Sequence, residues 1–146
     1  YGGALKQLSI GCASSYGKAY IHGAGDPEKL WSAEQNSFLE SMADSASSVV
    51  TYFDGRIAYI SVMCNLSVDC DCCSVAEEPC MKDIGILAGM DPVALDQACL
   101  DLIYRSKDPG RDHFLERVES RNGVHTIEAA AELGFGTREY ELIELN

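Results

Sequence analysis

The feature that most constrains the fold of this chain is a change of hydrophobic period between residues 32 and 63. Residues 32–35, Ser-Ala-Glu-Gln, form a capping box that predicts the start of a helix. One apolar stripe follows at helical spacing, made of Phe38, Leu39, Met42, Ala46, Val49, Val50 and Phe53. Asp54-Gly55 then predicts a turn, and residues 57–63 are apolar on both faces of an extended chain, as in the central strand of a sheet. A long amphipathic helix that turns into a buried strand predicts a mixed fold.

Weaker sequence signals predict the helices and strands in the rest of the chain. Asp91-Pro92 predicts a helix start, because Asp can cap the first turn and Pro needs no amide partner there; we expect this helix to run to about residue 105. Gly134 stands where a helix ends in the left-handed conformation. Other helices are predicted at residues 4–8, 111–120 and 126–133, and other strands at residues 18–21, 83–88 and 140–145. These elements predict one α/β or α+β domain over residues 1–146, with a single mixed sheet of about three to five strands flanked by helices.

The charge and hydropathy of the chain exclude two classes of function. Its formal net charge is −12, and such a surface repels phosphate backbones, so we expect no nucleic-acid binding. No apolar run approaches the ~20 residues of a membrane-spanning helix, so we expect no membrane insertion. Seven cysteines in a chain that is 47% hydrophobic favour a reducing compartment. We therefore expect a cytoplasmic protein, whose clustered thiols are metal ligands, redox groups or buried fillers.

The strongest chemical signal is the cysteine segment, residues 64–83, which holds five of the seven cysteines. Five carboxylates and one cation, Lys82, give this segment a local charge of −4. A negative field disfavours the thiolate, which is the form that a nucleophilic or disulfide-exchange cysteine needs. A bound cation reverses that penalty, because coordinated thiols lose their protons. The charge of the segment therefore favours a metal site over a catalytic thiol.

The spacing of the cysteines supports a metal site only in part. Cys70 and Cys72 share one face if the segment is extended, and Cys70 and Cys73 have the spacing of a zinc knuckle. No second pair follows at that spacing, so neither a four-cysteine zinc site nor a ferredoxin-type cluster is complete within the segment. Further ligands would come from elsewhere, with Cys12, His22 and Cys80 as candidates. The other interpretation is a tight acidic loop whose reduced, partly buried cysteines bind nothing.

Two further hypotheses place the function elsewhere. The chain could be an enzyme that binds a small anionic substrate near Asp91, through Lys18 and the backbone amides of residues 11–18. These residues are rich in glycine and serine, but their spacing and Ala19 depart from a phosphate-binding loop, and a plain flexible loop has the same composition. The chain could also be a non-catalytic module that docks a partner, which a large exposed apolar patch would favour.

Several blocks of the sequence resemble the domain of unknown function 362 family, many of whose members are associated with iron–sulfur modules. The similar blocks are residues 2–8, 11–18 with His22, 69–72, 83–87, 91–98 and 120–125. The most specific are Asp-Cys-Asp-Cys at 69–72 and Asp-Pro-Val-Ala-Leu-Asp-Gln-Ala at 91–98. The resemblance covers nearly the whole chain and implies no assigned activity.

The resemblance also implies a ligand set and a partner. The motif positions with metal-binding side chains are Cys12, His22, Cys70 and Cys72. Three cysteines and one histidine suit zinc or a small iron site. Many family members carry an inserted ferredoxin module before the long helix, which this sequence lacks, and they are longer on the N-terminal side. The chain, which opens at Tyr1, is therefore expected to be the C-terminal portion of a longer domain, with the missing N-terminal part of its own polypeptide as a partner.

Overall fold

The computed structural model describes residues 3–70 and 73–145, and in that part of the chain helices surround one small sheet. The helices are α1 (Ala4–Lys6), which continues as a π-helical turn (Gln7–Gly11), α2 (Ser15–His22), a 3-10 turn (Pro27–Lys29), α3 (Gln35–Phe53), α4 (Pro92–Arg105), α5 (Arg111–Ser120) and α6 (His125–Glu132). The strands are β1 (Tyr59–Met63) and β2 (Gly85–Gly89), which lie between α3 and α4 in the sequence. The prediction of a mixed helix-and-strand fold is confirmed.

The sheet is an antiparallel pair of strands, in place of the predicted three to five. Tyr59, Met63 and Leu87 point to the core and are at most 9% exposed, and α4 packs against both strands. The opposite face, here called the outer face, consists of Ile60, Val62, Ile86 and Ala88, which are all exposed. The prediction that β1 is a central strand buried on both faces is wrong, because among the described residues no third strand pairs with it and nothing buries its outer side chains.

Two further segments that were predicted as strands take other structures. Residues 18–21 lie in α2, where the Ser14 hydroxyl caps the helix by accepting a hydrogen bond from a first-turn amide at 3.1 Å. Residues 140–145 are irregular. The Tyr140 hydroxyl ties this segment to α4 by donating to Asp101 at 2.7 Å. Side-chain hydrogen bonds, rather than a strand ladder, therefore hold the end of the described chain.

The long helix α3 begins later than the capping box predicts. Its N-cap is Glu34 rather than Ser32, and the Glu34 carboxylate accepts a hydrogen bond from the Ser37 amide at 2.9 Å. This backbone hydrogen bond lowers the pKa of Glu34. At the other end, Asp54 adopts the left-handed conformation with φ of 48°, so the predicted turn after the helix is confirmed.

Helix α4 lies at the centre of the core and has the predicted start and end. Val93, Leu100 and Ile103 are at most 1% exposed, and Cys99 is buried, as its place on the apolar face predicts. α3 and α6 pack against each other through small or branched side chains with no exposed surface, which are Ala43, Ala46, Ile127 and Ala130. The same core contains residues of α1, α4 and α5 together with Val68 and Met81 of the cysteine segment.

Candidate functional site at the cysteine segment

The cysteine segment leaves the sheet at the end of β1 and returns to it at the start of β2. Val68 and Met81, which are 9% and 6% exposed, anchor the segment in the core. Leu66 and Met81 form an isolated antiparallel bridge, and the Cys80 amide donates to the Leu66 carbonyl at 2.8 Å. These contacts close residues 66–80 into a loop that is fixed at its base.

Asp69, in this loop, has partners from two parts of the chain. Its carboxylate accepts a hydrogen bond from the Glu77 amide at 3.0 Å, and its other oxygen lies 2.9 Å from Nη1 of Arg117. The backbone amide first, and then Arg117, hold the pKa of Asp69 below its ordinary value. Because Arg117 belongs to α5, a helix distant in sequence supplies the counter-charge.

The same helix also binds Glu77. Oε2 of Glu77 lies 2.8 Å from Nε2 of His113, and Oε1 lies 4.0 Å from Nη2 of Arg117. The Glu77 carbonyl accepts a hydrogen bond from the Ser67 hydroxyl at 2.8 Å, which joins the two limbs of the loop. The Arg117 guanidinium therefore offsets part of the local charge of −4.

Cys70 is half-buried, and its sulfur takes part in a disulfide bond. The Lys6 ammonium donates a hydrogen bond to this sulfur, with 3.0 Å between Nζ and Sγ. No carboxylate of the described residues lies within 4.0 Å of that ammonium. The ammonium of Lys6, from α1, therefore lies beside the sulfur of Cys70, although the neighbours of Cys70 in the sequence are acidic.

A buried carboxylate on α4 fixes the position of α1. Asp96 is 1% exposed, and its two oxygens accept hydrogen bonds from the amides of Ala4 at 2.7 Å and Leu5 at 2.9 Å. A Cβ at Gly3 would overlap the Asp96 carboxylate, so the close approach of the two elements requires glycine there. Burial raises the pKa of Asp96 to about 6, against the lowering effect of the two amides.

The other described cysteines are dispersed. Cys12, Cys64 and Cys73 are exposed and free, whereas Cys80 is half-buried and Cys99 lies in the core. Burial raises the pKa of the Cys80 thiol. None of these five side chains belongs to a cluster of described residues that could bind a metal ion.

The described members of the predicted metal set are not brought together. His22 bonds through Nδ1 to the Lys18 carbonyl at 2.7 Å and stacks on Phe38 with ring centroids 5.1 Å apart, while Cys12 is exposed after the π-helical turn. Within residues 3–70 and 73–145, no group of three or more His, Cys, Asp or Glu side chains could hold a metal ion. Cys72, the remaining member, lies outside the described residues. A zinc or iron site at these positions stays a prediction.

The residues predicted to bind an anionic substrate have other surroundings. Lys18 is exposed on α2, so the second half of the supposed glycine-rich loop is helical. Both oxygens of Asp91 bond to backbone amides: one accepts from Val93 at 2.8 Å and from Ala94 at 3.1 Å, and the other from Thr137 at 2.8 Å. Asp91 therefore caps α4, as predicted, and also ties down the chain after α6.

Two open clefts lie away from these residues. One, between α4 and the irregular C-terminal segment, has a volume of about 600 Å³ and is lined by Asp101, Arg105 and Arg138, among others. The other, of similar volume, lies between α3 and α6 and is lined by Glu40 and Asp44, among others. Neither cleft is lined by Lys18, Asp91 or Cys70.

Sequence reasoning missed the three residues that shape this site, which are Lys6, Asp96 and Arg117. Asp96 carried a readable signal, because it lies three positions from both Val93 and Cys99 and therefore shares their apolar helix face. Lys6 and Arg117 carried none, since 64 and 48 positions separate them from their partners in the cysteine segment.

Comparison with known proteins gives one family. The family model described as Domain of unknown function (DUF362) matches residues 1–101. No curated protein and no solved structure matches the chain at a significant level. Among the described residues, no helix combines the length and the apolar character that crossing a membrane demands.

Proposed function

This chain belongs to the family described as Domain of unknown function (DUF362), and we propose that it is a protein-docking module that binds through the outer face of its sheet. One observation carries the proposal: the outer face is both apolar and exposed. Ile60, Val62 and Ile86 expose 70%, 58% and 70% of their surface. Scattered apolar residues are normal on a protein surface, but a contiguous apolar face marks an interaction surface.

The open edges of the sheet support the same proposal. Among the described residues, β1 and β2 pair only with each other, so each strand keeps one edge of backbone donors and acceptors without a strand partner. A partner that adds a strand at one edge would pair these groups and widen the apolar face.

We take the partner to be an apolar, strand-forming protein segment. The four side chains of the outer face are uncharged although the whole chain carries −12, so binding there depends on apolar burial rather than on ion pairs. Full burial of one such side chain contributes about 1.5–3 kcal/mol. A segment of the same polypeptide is the first candidate, because tethering gives it an effective concentration of roughly millimolar and a small face then suffices.

A photoreactive amino acid in place of Ile86, in the natural polypeptide expressed in its own cells, tests the proposal. We expect a cross-link from position 86 and none from the control position Tyr52, which is 79% exposed on α3. A cross-link within the polypeptide identifies a tethered segment, and a gain in mass identifies a separate protein. The proposal is contradicted by an absence of cross-links at position 86, or by equal yields at the two positions.

Metal binding is a separate proposal, with zinc or iron held by Cys12, His22, Cys70 and Cys72. No contact among the described residues favours this metal site. None of them favours an enzyme that binds an anion through Lys18 and Asp91 either, since neither cleft is lined by these two residues. Elemental analysis of protein purified without chelators tests the metal-binding proposal. A metal content far below one atom per chain would count against a site.

A further inference from the structure

His125, the first residue of α6, has a carboxylate beside each of its two ring nitrogens. Nε2 lies 2.9 Å from Oε1 of Glu40 on α3, and Nδ1 lies 3.6 Å from Oε2 of Glu128 on α6 itself. A neutral imidazole has one N–H donor, whereas an imidazolium has two and a positive charge. Because ionised carboxylates accept hydrogen bonds and attract cations, this arrangement favours the imidazolium. The geometry therefore couples the contact between α3 and α6 to a proton.

The other charged groups around the ring favour the same protonation state. The Glu34 carboxylate, which caps α3, and the His125 ring attract each other. Arg138, from the chain after α6, contacts Oε1 of Glu128 at 3.1 Å and leaves the other oxygen of that carboxylate to His125. The hydrogen bond to Glu40 is the main reason that the pKa of His125 lies above its ordinary value of 6.5, and burial of the ring opposes it.

The contact between the imidazole and α3 belongs to a row of three side-chain contacts, among the described residues, that join α3 to the start of α6. In the first, Nε2 of Gln35 donates to the Arg121 carbonyl at 3.0 Å. In the second, Nδ2 of Asn122 donates to Oδ1 of Asn36 at 2.8 Å. Neither of these two contacts involves a titrating group, since Arg121, which is an exposed residue, takes part through its backbone. His125 is therefore the member of the row that a change of pH alters.

We propose that the contact between His125 and Glu40 is a pH-sensitive switch, which holds the first turn of α6 against α3 when the imidazole is protonated and lets that turn open more readily when it is neutral. This role is independent of docking at the sheet. Because the folded protein binds the proton more tightly than the unfolded chain, the contribution of the contact is complete below pH 6.5. It is lost as the pH rises through the higher pKa of the folded protein.

Two measurements test the switch, which are an NMR titration of the His125 ring and hydrogen exchange at the Ile127 amide. This amide donates to the Val124 carbonyl at 2.9 Å in the first turn of α6. We expect a ring midpoint above pH 6.5, and a loss of protection at Ile127 of about two- to fivefold as the pH rises through that midpoint. Protection is the intrinsic exchange rate divided by the observed rate, so the ordinary pH dependence of exchange cancels.

Two variants separate the switch from a merely structural contact. His125→Gln keeps an N–H donor for Glu40 but cannot titrate, so its protection at Ile127 should not change with pH in this range. The matched control is His113→Gln on α5, which removes a histidine that lies beside two other carboxylates. It should keep the pH dependence of the unsubstituted protein.

Two results would overturn the proposal. One is a ring midpoint of His125 at or below pH 6.5, and the other is a pH dependence at Ile127 that is the same in His125→Gln and in the unsubstituted protein. If circular dichroism shows that His125→Gln does not fold, Glu40→Gln takes its place. That variant removes the carboxylate at Nε2, so the ring midpoint should fall, and an unshifted midpoint would overturn the proposal.

Discussion

The junction between α1 and α4 and the cysteine segment use carboxylates in different ways. At the junction, Asp96 is 1% exposed and bonds only to backbone amides among the described residues. In the cysteine segment, Asp69 and Glu77 are partly exposed and bond to side chains of α5, and Asp69 also accepts a hydrogen bond from the Glu77 amide. A buried carboxylate on backbone amides joins two elements rigidly, whereas exposed ion pairs contribute little stability and chiefly set the local charge. The same residue type thus serves architecture in one region and electrostatics in the other.

The pH dependence of stability gives the largest expected effect and follows from Asp96. Burial raises its pKa from 3.8 to about 6, so between these values the folded protein holds a proton that the unfolded chain has lost. This contribution is complete below pH 3.8 and is lost as the pH rises through about 6, at about 1.4 kcal/mol per pH unit, or about 3 kcal/mol in total. Urea unfolding of the unsubstituted protein and of Asp96→Asn, between pH 4 and 7, measures it. Parallel pH curves for the two proteins would refute the assignment to Asp96.

The N-cap of α4 gives the next largest effect. Asp91→Ala removes the acceptor for Val93 and Ala94, and the loss of such a cap costs about 0.5–2 kcal/mol of unfolding free energy. Because the same carboxylate accepts from Thr137, the chain after α6 should also loosen, which amide exchange at Thr137 reports. Asp91→Asn keeps a capping oxygen and should lose much less. If Asp91→Ala leaves both readouts unchanged, this junction depends on packing alone.

The ion pairs of the cysteine segment give the smallest effect on stability. Arg117→Met removes the ion-pair partner of Asp69. Both side chains of this pair are partly exposed, so water can solvate the carboxylate that is left, and the unfolding midpoint should barely move. Amide exchange at Glu77 should nevertheless become faster, because Asp69 then holds that amide in a less fixed geometry. Arg121→Met, on an exposed arginine just after α5, is the matched control. A large loss of stability in Arg117→Met would show that the carboxylates of the cysteine segment contribute to stability as Asp96 does at the junction of α1 and α4.

Local signals were sufficient for several elements of the fold. The cap at Asp91, the left-handed turn at Asp54 and the helix end at Gly134, with φ of 78°, all occur where the sequence predicts them. Each depends on hydrogen bonds or backbone conformations within a few residues, which are properties of the residue type. Strand pairing depends on distant segments, and for that reason residues 18–21 and 140–145 were assigned wrongly.

The candidate site divides in the same way. The sequence by itself determined that residues 64–83 are rich in thiols and carboxylates, because composition needs no fold. Only the tertiary structure decided the charge beside Cys70, since Lys6 comes from α1 and the partner of Asp69 from α5. Coulomb interactions act through space and fall with distance between atoms, whatever their separation along the chain. Counting charges along the sequence therefore predicted a metal cation beside these sulfurs. It did not predict that Lys6 of the protein itself places a positive charge beside Cys70.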